Sequence, residues 1–196
     1  MKAPEPIIRW MMLCSFTSNT AYSVCAPFLP LEFERHGLAS SYVGMTFSVF
    51  ALGNILVAPI VGKHLVHRIE ARNLYFIGLG SMGICFILFG LVEVMESKVN
   101  ILILAFALRT WHGIAGTFNY TTSLSIATND FPGDRARVVG YLQSMTGAGS
   151  ITGPTIGSAL YSLMGFKWTF FVYGGLEVLL ATIIKFNLPE RTVHQS

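Results

Sequence analysis

"GAGSITGPTIGSAL", residues 147–160, lies inside an apolar stretch, yet it holds four glycines and a proline where an ordinary helix would carry leucine and alanine. In water each interior glycine costs a helix about 1 kcal/mol against alanine, and an interior proline about 3 kcal/mol. Lipid gives the same residues a use. Gly149, Gly153 and Gly157 recur every fourth residue on one helix face, where small residues let a neighbouring backbone approach closely and van der Waals packing drives helix association. Pro154 withholds one hydrogen bond and can bend the helix. The stretch predicts a tight helix contact with a built-in bend, inside a membrane.

Composition agrees. Of the 196 residues, 53% are hydrophobic and only 12% charged, against about 25% charged in a globular domain. The mean hydropathy of +0.58 is spread along the whole chain. The start, "MKAPEPIIRW", has basic residues but no small-residue cleavage site after the first apolar run, so it is expected to stay in the mature chain. The net charge of +3 comes from scattered clusters, with no contiguous basic stripe for nucleic acid. Cys14, Cys25 and Cys85 fall in apolar segments without CxxC or Cys/His spacing, so neither a metal nor a cofactor is expected.

Six segments are long and apolar enough to span a bilayer, near residues 7–30, 42–63, 74–95, 100–125, 137–163 and 168–188. They predict an all-α membrane protein of six transmembrane helices, because only helices or closed barrels satisfy their backbone in hydrocarbon and barrel-type alternation is missing. Counting lysine and arginine on alternate sides tests the placement. One side receives Lys2, Arg9, Lys63, Arg68, Arg72, Arg135, Arg137, Lys185 and Arg191; the other receives Arg35, Lys98 and Lys167. This bias puts both termini in the cytoplasm. The sequon at Asn119 falls mid-span and should carry no glycan.

The second and fifth spans resemble each other. Val43-Gly44 matches Val139-Gly140, Gly53 matches Gly149, and Pro59 to Gly62 matches Pro154 to Gly157 after one deletion. An odd number of spans per unit makes a 3+3 repeat inverted, an arrangement of many secondary transporters.

Two motifs narrow this. "GSITGPTIGS" (149–158) fits G-x-x-x-G-P-x-x-G-G, which marks proton-coupled antiporters of the major facilitator superfamily, with Ser158 in place of the last glycine. "RTWHGIAG" (109–116) resembles the superfamily's R-x-x-Q-G-x-x-A element, with His112 where glutamine is usual. Residues 26–73, and "GKHLVHRIEARN" above all, resemble the vesicular amine transporter family, closest to its vesicular polyamine transporter branch. In the loop motif of Gly62, Arg68 and Arg72, Val66 occupies the usual Asp position, so the charge relay of that Asp does not transfer. The resemblance implies one half of a twelve-span fold, the N-terminal six-helix bundle, missing its C-terminal half or a second six-helix unit.

Ionisable groups within spans are functional candidates by default. Arg109 lies roughly 13 Å deep at 1.5 Å per residue. The resemblance implies proton coupling for it; the alternative is a structural hydrogen-bonded hub. His112 can relay protons or simply be hydrogen-bonded. Glu177 shares the depth of Arg109, which permits pairing, or it faces the protein interior. Polar stripes run along the fourth span (His112, Gly116, Asn119 or Tyr120, Ser123) and the first (Ser15, Ser18, Asn19, Tyr22). They suit either a water-filled cavity or interhelical hydrogen bonding. Substrate-binding candidates are Ser18, Asn19, Tyr22, Asn119 and Tyr120, and Tyr22, Trp111 and Tyr120 offer cation–π faces. Ser18 stands where monoamine-type relatives carry an Asp, which favours polyamines or other organic cations.

An enzyme is not expected: nucleophile elbow, HExxH and P-loop are all lacking, and Asp130 and Asp134 read as solvated turn residues. Two functions fit. One is a proton-coupled antiporter loading organic cations into a vesicle or lysosome-related organelle. The other is a truncated, non-transporting membrane protein that associates with and regulates a full-length transporter.

Overall fold

The computed structural model describes residues 6–188. Lys2 and Arg191, both counted toward the cytoplasmic side, lie outside them. The described chain is all-α: α1 (Pro6–Val24), α2 (Leu29–Arg35), α3 (Ser41–Ile60), α4 (Ala71–Phe89), α5 (Lys98–Asn129) and α6 (Arg135–Asn187). Just beyond Pro59, α3 passes into a π turn at Val61–Leu65, and α4 tightens into a 3-10 turn at Gly90–Val94. Among the described residues four helices are long and apolar enough to cross a membrane: α3 and α4 with their turns, α5 and α6.

The first predicted span is too long. Instead of running to residue 30, α1 stops at Val24, turns through Cys25–Phe28, and the chain restarts as the short α2 with Pro30 in its first turn. Pro27 and Pro30 explain the break, since proline lacks a donor and disfavours helix in the residue before it.

The predicted spans 137–163 and 168–188 are two helices that abut in one run of 53 residues, meeting at Gly165, which alone is non-helical at φ 77° and ψ −178°. Straight, that run would hold Leu142 and Ala181 about 60 Å apart. They instead share one buried cluster with Ile7, Tyr75 and Ile126. The helix therefore folds back at Gly165, in a backbone region open almost only to glycine. Glu93 Oε2 accepts from Lys167 N at 2.8 Å and caps the second limb. The helix runs on through Pro154.

Three glycine-lined crossings hold the bundle. A Cβ on Gly149 would strike Phe16 O, one on Gly153 would strike Ser23 and Thr20 O, and one on Gly157 would strike the Phe28 ring. The indices rise together, so α1 and the first limb of α6 run parallel. On the opposite side, Gly83 faces Gly174 O and Val178, while Gly174 faces Gly83 O and Ile87. That contact joins α4 to the second limb and is reciprocal. In the third crossing Gly53 faces Thr110 O and Gly113 faces Phe50 O, joining α3 to α5. The two parallel crossings also match in their hydrogen bonds. Thr117 Oγ1 donates to Gly113 O (3.0 Å) and Asn54 O (3.3 Å), just as Ser23 Oγ donates to Asn19 O (2.9 Å) and Gly149 O (3.2 Å).

One end of the bundle is closed by Ile7, Ala71, Val138 and Ile184, next to Arg9, Arg72, Arg137 and Lys185. At the other end Arg35 lies over Tyr161 and Lys98 Nζ donates to Gly37 O at 3.0 Å.

Candidate functional site

Along α1 the side chains of Ser15, Ser18, Asn19 and Tyr22 share one face by helical spacing. Together with Gly116, Asn119 and Tyr120 from α5, Phe50 and Asn54 from α3 and Met82 from α4, they line a cavity of about 200 Å³. All five residues expected to contact substrate are in that lining. Asn19 Nδ2 donates to Ser15 O (2.8 Å) and Thr146 Oγ1 (3.3 Å), tying α1 to α6. Asn119 Nδ2 donates to Ser18 Oγ (3.0 Å) and Met82 Sδ (3.4 Å), which orients the amide across the cavity wall. Gly78 makes room for it, since a Cβ there would strike Asn119 Oδ1. Tyr120 is half exposed, and no lining residue is charged.

The rest of the predicted stripe divides. Ser123 leaves the cavity and pairs with Tyr75 Oη at 2.7 Å, which is helix packing. Trp111 is 55% exposed and faces away from the bundle, so it offers the cavity no ring.

Arg109 and His112 sit next to a separate void of about 10 Å³, lined also by Cys25, Cys85, Phe86, Phe89 and Leu108. Arg109 is 1% exposed; its Nη1 donates to His112 Nδ1 at 3.4 Å, while Nε, Nη2 and His112 Nε2 have no hydrogen-bond partner among the described residues. The guanidinium instead lies over the rings of Phe47 (5.2 Å) and Phe89 (5.6 Å), contacts that soften the burial of a cation. The pairing with Glu177 that depth permits is not made: both Glu177 carboxylate oxygens are buried and have no hydrogen-bond partner among the described residues. Equal depth fixes height in the bundle, not direction around the helix.

The predicted antiporter motif is the α1 seam itself, with Gly149, Gly153 and Gly157 all buried. In the loop motif a Cβ on Gly62 would just touch Thr121, Arg68 is exposed, and Arg72 Nε donates to Glu70 Oε2 at 2.6 Å. Buried Val66 takes no part in that ion pair. Phe50, Asn54 and Met82 complete the cavity without having been expected there. Asn54, a lone amide in the apolar run "ALGNILV", was the available signal.

The geometry so far is that of a membrane bundle with a polar cavity against a glycine seam. The sequence model of the Major Facilitator Superfamily matches residues 11–196. This chain belongs to the major facilitator superfamily. It is thus a multi-pass membrane protein of a transporter family, not an enzyme. Over 172 residues, 88% of its length, this facilitator chain is 32% identical to the MFS-type transporter SLC18B1 of Homo sapiens, and the Mus musculus protein of that name gives 32% over 168 residues. The multidrug resistance protein MdtG of Escherichia coli is 27% identical over 190 residues, 94% of the chain. The chain spans 38%, 36% and 44% of the lengths of these three relatives.

Proposed function

We propose that this chain is the N-terminal six-helix half of a proton-coupled antiporter that exchanges protons for organic cations, of polyamine or other amine type. The observation that carries the proposal is the convergence of Ser18, Asn19, Tyr22, Asn119 and Tyr120 on one cavity. Its neutral lining offers a cation amide and hydroxyl dipoles and aromatic faces, and a second bundle supplies the opposite wall. The six crossings are α1, α3, α4, α5 and the two limbs of α6, arranged as a 3+3 inverted repeat. The reciprocal Gly83–Gly174 contact and the matched Thr117 and Ser23 bonds support that arrangement. Both termini face the cytoplasm, and the membrane is that of a vesicle or lysosome-related organelle, where such a carrier loads amines against protons. Arg109, His112 and Glu177 are the proton-coupling groups, buried and short of partners.

The test is uptake by the full-length transporter in proteoliposomes under an imposed proton gradient, with polyamines, monoamines and acetylcholine as substrates. Polyamine uptake abolished by a protonophore is expected, with Asn19→Ala and Tyr120→Ala altering substrate preference more than abundance. Uptake indifferent to the gradient and to both substitutions would refute the proposal.

A further inference from the structure

Two phenylalanines one turn apart on α3 each meet Tyr22 of the polar cavity on one side and one member of the buried Arg109–His112 pair on the other. The ring of Phe50 is 4.7 Å from that of Tyr22 and 5.2 Å from that of His112. The ring of Phe47 is 5.9 Å from Tyr22 and 5.2 Å from the guanidinium carbon of Arg109. Tyr22 and Phe50 line the cavity, whereas Arg109 and His112 line the small void behind it.

We propose that Phe47 and Phe50 form an aromatic partition that separates the cavity from the Arg109–His112 pair, so that contact between cavity contents and that pair waits on these rings. Three observations support it. Arg109 Nε, Arg109 Nη2 and His112 Nε2 are buried, so water in the cavity meets no exposed surface of these atoms while the rings stay in place. The void of about 10 Å³ holds at most about one water, so the pair has no reservoir of its own. Gly113 lets α5 sit directly on Phe50 O, which pins the backbone and leaves side-chain rotation as the free motion. Both residues are therefore positioning residues. Their coupling role rests on the proposed exchange of protons for cations; the closure itself does not.

Three cysteines give a readout. Cys25 and Cys85 line the void behind the partition, and Cys14 is buried in the cluster at the other end of the bundle. Membrane vesicles containing the chain are treated with a water-soluble methanethiosulfonate reagent. Phe50→Ala and Phe47→Ala are each expected to speed labelling of Cys25 and Cys85 about tenfold or more while Cys14 stays protected, because protection from exchange or reagents reports local opening. Phe50→Leu, which keeps most of the bulk, should label as slowly as the parent. Unchanged rates at Cys25 and Cys85, or an equal rise at all three cysteines, would overturn the partition. If Phe50→Ala fails to insert, Phe47→Ala is judged by the same criterion. In the full-length transporter the alanine variants should conduct protons without substrate. A parent showing no substrate-linked proton movement would overturn the exchange mechanism and the coupling role with it, while the labelling would still decide the closure.

Discussion

Adding a single methyl group at Gly83 tests the packing most directly. A Cβ built there lies 2.5 Å from Gly174 O and 3.0 Å from Val178 N, both backbone atoms that no rotamer change can move away. The first contact is about 1 Å short of ordinary separation, so Gly83→Ala must push α4 and the second limb of α6 apart. Overpacking of this kind costs about 1–3 kcal/mol. Gly174→Ala should cost about the same, because its Cβ meets Gly83 O at the same 2.5 Å. Once the first methyl has opened the crossing, the second enters a gap already made. The double variant should therefore cost well under the sum, the non-additivity expected of residues in contact. Gly140→Ala and Gly147→Ala are the controls, with no atom beyond the local helix backbone within 4 Å of the added Cβ; they should be neutral or gain up to about 1 kcal/mol in helix propensity. Reversible unfolding in mixed micelles, followed by helical circular dichroism, measures all five variants. Equal stability of Gly83→Ala and Gly147→Ala, or strict additivity of the double variant, would refute the crossing.

Gly165→Ala should lose about 1–3 kcal/mol in the same assay, since φ 77° with ψ −178° is nearly closed to other residues. Tyr75→Phe should cost about 1–2 kcal/mol by stranding buried Ser123, and Tyr75→Phe/Ser123→Ala should recover part of it. Glu32, on α2 outside the spans, has its carboxyl raised above the usual range by burial, with His36 and Arg35 pulling it back. A raised acid favours the folded state below its unfolded value and loses that contribution as pH rises through the folded one. Hydrogen exchange in residues 29–38 should thus quicken, beyond its intrinsic base catalysis, from acid toward neutral pH, and Glu32→Gln should remove that excess.

Periodicity made part of this molecule legible. Three glycines at four-residue spacing gave the α1 seam, and the Ser15–Tyr22 stripe gave one cavity wall, because both are properties of a single helix face. Gly83 and Gly174 carry no such signature: each stands opposite a single glycine far off in the chain, so only the assembled bundle reveals the crossing. The end of α1 was written in Pro27 and Pro30, but apolar length outweighed them in placing the span. The missing Arg109–Glu177 pair and the placement of Phe47 and Phe50 depend on how the helices are turned about their axes, which spacing along one strand of sequence does not fix.

The reversal at Gly165 leaves the two limbs of α6 no slack. A hinge of one residue, with Glu93 fastened to the amide two positions on, denies either limb independent travel. The first limb is keyed to α1 and the second to α4, so any force tilting one is felt by three others at once. Four rods wired together in this way behave as a lever, and large strokes must come from motion of the whole body.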